Sequence, residues 1–198
     1  MSMRIITISR EFGSGGRSVG KLVAEKLGWK YYDKEIVEAV AKESGFSPKF
    51  IEENGEYANV TSSLLFNMSV GASLENGNIS LYDEIFNAQS QIITDIANEG
   101  DCVIVGRCAD FILSDRDDCL NAFVYADMEC RMRRIKELYG ETDKPIEKRI
   151  ADKDKRRKVY YKSYTNRTWG DMRNYHVSLD CGKLGVEKCA DILVESVK

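Results

Sequence analysis

The stretch from Ser9 to Leu27, SREFGSGGRSVGKLVAEKL, constrains this chain more than any other. An apolar run, Ile5-Ile6-Thr7-Ile8, enters a loop holding Gly13, Gly15 and Gly16, and an amphipathic helix pattern begins at once. Strand, glycine loop and helix in direct succession make a phosphate cradle: loop N–H groups and the positive end of the helix converge on one point. The plainer alternative is a glycine turn that only packs a helix on a strand. The glycine density and the strand immediately before it favour the cradle.

Two registers of the phosphate-loop pattern GxxxxGK, followed by Ser or Thr, compete. One ends at Gly16-Arg17-Ser18, with Arg17 in the lysine position and Glu11 in the first glycine position. The other ends at Gly20-Lys21, with Leu22 where a hydroxyl is wanted. Val19, Leu22, Val23, Lys26 and Leu27 share one face at 3.6-residue spacing, so Val19 already lies inside the helix and Lys21 points away from the buried side. The first register follows. Gly13, Ser14, Gly15, Gly16, Arg17 and Ser18 are then the nucleotide-binding loop. Arg17 offers a planar fork of donors to the β- and γ-phosphates, and Ser18 is the candidate Mg²⁺ ligand.

A chain of 198 residues suffices for one domain with smaller inserts. A net charge of −3 makes no demand for a nucleic-acid polymer, and no run reaches the ~18 apolar residues of a membrane span. No signal-peptide pattern precedes the first strand, so secretion is not expected. The six cysteines form no CxxC pair and His176 is the only histidine, which argues against a zinc site and for reduced thiols in a cytoplasmic protein. So few imidazoles also favour charge stabilisation by Arg, Lys and metal over histidine base catalysis.

Periodicity places strands at 3–9, 29–32, 102–105, 122–125 and 175–179, and helices at 17–27, 34–43, 80–98, 128–139, 143–164 and 184–197. Strands alternating with helices predict a three-layer α/β sandwich around a five-stranded parallel sheet. Residues 33–79 contain an aperiodic stretch suited to an acceptor-binding helical insert. Ser47-Pro48 opens a short helix there, Asn54-Gly55 breaks it, and Leu64, Leu65, Phe66 and Met68 need burial. Asp33 either caps the helix that follows or approaches Mg²⁺ or an acceptor. Arg107, at the carboxyl end of a buried strand, faces the ligand crevice unless it pairs with Asp110. Arg131 or Arg134 can reach the phosphates from their helix. The charge-rich helix within 143–171 sits where a lid would close over a transferring group.

With these residues laid out, the chain resembles the cytidylate kinase-like family of P-loop kinases nearly end to end. The stretches that carry the likeness are ISREFGSGGRSVGK, GWKYYDKEI, CVIVGRCADFIL, DKDKRRKVYYKSYT, WGD and LDCGKLGVEKCADIL. The resemblance implies a nucleoside monophosphate kinase fold, ATP and Mg²⁺ in the loop, an acceptor nucleotide opposite, and a helical lid carrying arginines. It puts Arg107 against the acceptor. Lys153, Asp154 and Arg157 match the lid's basic-Asp-x-x-Arg pattern, in which the Asp contacts the acceptor sugar and the Arg a phosphate. Departures fall at Arg17, where a lysine is usual, and at Asp33-Lys34-Glu35, where Asp-(Ser or Thr)-Gly is usual. Ala39 stands in place of an acceptor-binding arginine, and Cys108 in place of an aspartate.

The leading expectation is ATP-dependent phosphoryl transfer to a small acceptor such as CMP or dCMP, with Arg17, Arg107 and Arg157 stabilising the transferring charge. A nucleotide-binding regulatory module with little turnover, and a kinase for a non-nucleotide small molecule, remain as alternatives.

Overall fold

The structure is a computed structural model, described here for residues 3–54 and 81–198. The expected insert residues Leu64, Leu65, Phe66 and Met68, and the expected loop Asn76-Gly77-Asn78, lie outside the described residues.

The sheet is built from β1 (Ile5–Arg10), β2 (Lys30–Tyr32), β3 (Cys102–Val105), β4 (Cys119–Tyr125) and β5 (Val177–Asp180), in the order β2-β3-β1-β4-β5. Every pairing is parallel, with Ile5 opposite Cys102 on one side and Cys119 on the other. Parallel strands need crossovers, and helices supply them. These are α1 (Gly16–Leu27), α2 (Lys34–Ser44), α3 (Pro48–Asn54), α4 (Leu81–Glu99), α5 (Ala109–Ile112), α6 (Met128–Tyr139), α7 (Ile146–Thr165) and α8 (Cys181–Glu195).

Side chains alternate across β1, which is buried along its whole length. Ile6 and Ile8 join Val103, Val105, Ala122 and Val124 under Val19 and Val23 of α1 and Leu193 of α8. Ile5 and Ile104 pack on the opposite face against Ile36 and Val40 of α2, Ile51 of α3 and Ile85 and Ile93 of α4. A third cluster joins Phe123 and Trp169 to Tyr160 and Tyr161 of α7. The three-layer arrangement is the one that the alternation of strands and helices predicts.

Four of the boundaries that differ from the periodicity have a local reason. β4 begins at Cys119 and not Ala122, because Asn121, polar in sequence, is buried and accepts a hydrogen bond from Thr7 Oγ1 at 2.6 Å. α7 begins after Pro145 and not at Asp143; proline carries no N–H and holds φ near the value needed at a helix entrance. The last strand begins at Val177, since Met172–Asn174 forms a 3-10 turn before it. α8 begins at Cys181, four residues past which Gly185 leaves the helical region at φ 77°; Asp180 caps it by accepting from Gly182 and Lys183 N–H. The six cysteines are buried and unbridged, and no helix among the described residues is long and apolar enough to cross a membrane.

Where α5 meets β1 and α7, the fold buries a carboxylate. Asp110 accepts hydrogen bonds from Ser9 Oγ at 3.3 Å and Tyr161 Oη at 2.6 Å. Burial still raises its pKa above the ordinary 3.8, against the pull of those donors. The folded state then holds this proton more tightly than the unfolded chain, so stability falls as pH rises from that value through the raised one. Asp110→Asn should flatten this fall, read by urea unfolding over a pH series; an equally steep fall in the variant would clear Asp110 as its source.

Candidate phosphate-transfer site

The loop between β1 and α1 is fastened to β4 before it turns. Glu11 N–H donates to Val124 O at 3.1 Å, and Ser14 Oγ sits 3.0 Å from both Glu11 O and Val124 O. Ser14 is fully buried, so its hydroxyl shapes the loop from behind. The turn depends on glycine. At Gly13, φ is +82° and a Cβ would stand 2.9 Å from the backbone oxygen of Arg131. Gly15 (φ 99°) is the N-cap of α1, whose first hydrogen bond runs from Val19 N–H to Gly15 O. The N–H groups of Gly16, Arg17 and Ser18 therefore have no acceptor within the helix. Together with the positive end of a 12-residue helix they favour an anion. Val19 is buried, Lys21 exposed and Ser18 exposed at the first turn, as the Gly16-Arg17-Ser18 register requires. A shallow hollow lies over the loop, with Arg10, Arg17, Arg134 and Arg157 in its walls.

Arg17 does not hang over the loop alone. Its Nε lies 2.9 Å from Asp33 Oδ2 and its guanidinium donates to Asp33 Oδ1 at 3.2 Å. Asp33 occupies the N-cap position of α2, yet its side chain makes no capping bond. The capping expectation for that carboxylate is corrected: it is turned to Arg17. The backbone N–H of Asp33 is met instead by Glu35 Oε2 at 2.9 Å.

On the other side of the loop, α7 presents Lys153, Asp154 and Arg157 to the β1–α1 connection. Lys153 Nζ stands 4.8 Å over the Phe12 ring. Asp154 Oδ1 accepts from Phe12 N–H at 2.8 Å, and Asp154 Oδ2 pairs with the Arg131 guanidinium. Arg157 donates to Arg10 O at 3.0 Å. Arg131 also donates from Nε to Phe12 O at 2.8 Å and stands 3.3 Å from Glu11 Oε2. Burial raises the Glu11 carboxyl, an effect the Arg131 charge opposes. Of the two helix-borne arginines expected near phosphate, Arg131 is thus bound into the loop's own backbone. Arg134 lines the hollow, 3.4 Å from Gly13 O.

Arg107 borders a second hollow, whose walls also carry Arg17, Lys34, Glu38, Lys49 and Glu52. Arg107 is 4% exposed and adopts a left-handed φ of 58°, followed by Cys108 at 57°. Such backbone costs on the order of 1–3 kcal/mol per residue and persists where the surroundings impose it. Gln89 imposes it here, receiving from Arg107 on Oε1 and donating from Nε2 to Arg107 O, each at 3.1 Å. Arg107 Nε is buried without a hydrogen-bond partner among the described residues. Pairing with Asp110, the alternative reading of this arginine, does not occur, since that carboxylate is turned to Ser9 and Tyr161.

Residues 5–183 match the model of the cytidylate kinase-like family. The chain belongs to the cytidylate kinase-like family. It is 26% identical to a cytidylate kinase of Archaeoglobus fulgidus over 98% of this chain and 94% of that one. A cytidylate kinase of Pyrococcus horikoshii is 25% identical over 92% and 82%. Among solved structures, an uncharacterized protein from Eubacterium ventriosum superposes with a TM-score of 0.73 at 30% identity, covering 98% of this chain and 97% of that one. A shikimate kinase from Acinetobacter baumannii superposes with a TM-score of 0.54 at 13% identity, covering 98% and 93%, a likeness of fold. Membership in the cytidylate kinase-like family supports phosphotransferase chemistry of the kinase type.

Sequence reasoning missed Arg10. It lies at the carboxyl end of β1, 3% exposed, with its Cβ where a side chain on Gly16 would have to go. The rule that singled out Arg107, an arginine closing a buried parallel strand, applies equally to Arg10. In this member of the cytidylate kinase-like family the loop geometry makes Gly13→Ala a sharp test. The variant should lose about 1–3 kcal/mol in chemical denaturation; pyrophosphate is expected to raise the Tm of the parent protein, and that rise should be absent in the variant.

Proposed function

We propose that this protein transfers the γ-phosphoryl group of ATP to the phosphate of a nucleoside monophosphate, CMP or dCMP best among them. The observation that carries this reading is the place of Arg17. It lines the hollow over the glycine loop and also the hollow bordered by Arg107, so one guanidinium borders both a donor and an acceptor compartment. ATP phosphates suit the first, which Gly13, Gly15, Gly16, Arg17, Ser18, Arg134 and Arg157 line. The acceptor suits the second. There Lys34, Lys49 and Arg107 supply the positive charge that the alanine at position 39 does not.

No group of three or more His, Cys, Asp or Glu suited to a metal occurs among the described residues. That fits Mg²⁺ of the nucleotide-borne kind, which takes most of its ligands from phosphate and water. Ser18, exposed at the first turn of α1, would hold it, and the ion supplies charge neutralisation at the phosphates. An acceptor phosphate is already anionic at neutral pH, so the chain's own work is alignment and compensation of charge. In this reading Asp33 holds Arg17 at the boundary between the compartments, Arg107 orients the acceptor, and Arg157 meets the transferring group from α7.

A coupled ADP-release assay with ATP, Mg²⁺ and each common nucleoside monophosphate tests this directly. Turnover should be largest with CMP or dCMP. Arg17→Ala should lower kcat by about 10²–10³-fold, while Arg17→Lys keeps part of it. Arg107→Ala should raise KM for the acceptor and leave KM for ATP near its parent value. Full activity in Arg17→Ala would remove Arg17 from the mechanism. ADP formed with a sugar but not with CMP would make the protein a small-molecule kinase, and tight ATP binding without product from any acceptor would make it a regulatory module.

A further inference from the structure

The helix that resembles a lid is seated along its whole length. Near its start, Ile150 is buried with Phe12 and Ile135. One turn on, Asp154 and Arg157 reach the loop backbone. Beyond them Tyr161 donates to Asp110, Gln89 donates to the Tyr160 hydroxyl, and the Tyr164 ring stacks on Phe86 at 3.9 Å between centroids.

The contact at Phe12 is the most specific of these. Both backbone polar groups of that residue are taken, the N–H by Asp154 and the C=O by Arg131, and the two side chains pair with each other. Asp154 comes from α7 and Arg131 from α6, so one charge pair ties two helices to a loop residue directly before Gly13. Asp154 and Arg131 are 7% and 5% exposed. Hydrogen bonds involving charged groups at that depth are stronger than neutral ones, and removing one partner strips the other of its shortest contact, leaving Arg131 with Glu11 at 3.3 Å or Asp154 with Arg157 at 3.5 Å.

We propose that Asp154 and Arg131 form a latch that sets the curvature of the phosphate loop and keeps α7 docked on the donor side before substrate arrives. Asp154 is then a positioning residue for the donor, acting through the Phe12 N–H. Lys153 and Arg157, which flank it in the lid-like pattern, turn to Phe12 and Arg10 in the same way. An Asp154 carboxylate that left for the acceptor would have to release both Phe12 and Arg131.

This inference rests on the glycine loop being the donor site, and its test separates the two. Asp154→Ala removes the latch; Asp154→Asn keeps an oxygen for Phe12 N–H but loses the charge facing Arg131, and stands in if the alanine variant does not fold. Amide hydrogen exchange of the full chain without nucleotide should show Phe12 exchanging at least tenfold faster in the variant, with Ile6, Ile8 and Tyr160 still protected. KM for ATP, or Kd by calorimetry if no acceptor is turned over, should rise at least tenfold while KM for the acceptor stays near its parent value. Unchanged exchange at Phe12, unchanged ATP affinity, or an acceptor KM that rises as much as that for ATP overturns the latch. Should the parent protein bind no ATP, the donor reading fails, and the exchange of Phe12 still decides whether the latch exists.

Discussion

A strand buried on both faces must end among polar groups, and the end of β1 is where this protein concentrates its buried charge. Four arginines, Arg10, Arg107, Arg131 and Arg157, and three aspartates, Asp33, Asp110 and Asp154, are buried. A buried ion is tolerated only with partners or hydrogen bonds close by. Phe12 N–H, Phe12 O and Arg10 O, backbone groups at and just beyond the end of β1, are among these partners, so the charges help to dictate the path of the chain as the chain places the charges. The balance of these groups is positive. An anionic ligand bound only by the folded state would offset it and raise stability by mass action.

From that constraint the two hollows follow. Parallel strands all present their carboxyl ends to one edge of the sheet, and connections leaving neighbouring strands part there. β1 leads into the glycine loop and α1, β3 leads into the strained Arg107-Cys108 turn, and β1 and β3 are adjacent. Arg17 rises from the first connection into the gap between them. Asp33, closing β2 on the far side of β3, reaches back to hold it. The donor and acceptor compartments of the proposed reaction are thus a product of strand order.

Much of this was legible before any coordinates. The apolar runs at Ile5-Ile8 and Cys102-Val105 sit on two buried faces and read plainly, and the glycine loop stands out because no side chain is tolerated near Arg131 and Arg10. What stayed hidden depends on partners distant in sequence. Asn121 reads as a strand breaker until Thr7 is placed beside it. Arg10 reads as the polar end of a strand until Arg157 and Gly16 crowd it. Asp154 falls in a run of charges that resembles any solvated helix, and nothing local announces that it meets the Phe12 N–H across 142 residues. Periodicity reports which face of an element is apolar; it carries no information about which buried carboxylate finds which amide.

The ion pair between Arg17 and Asp33 joins the first turn of α1 to the end of β2, a strand of three residues that bonds only to β3. An anion that drew the guanidinium toward the loop would loosen that tether, leaving β2 its ladder to β3, the Lys30–Glu99 pair at 3.0 Å and the packing of Tyr31 and Tyr32. In the proposed reaction, occupancy of the glycine loop would in this way be felt at a border strand of the sheet and at the start of α2, as a loosening there in exchange for order at the centre.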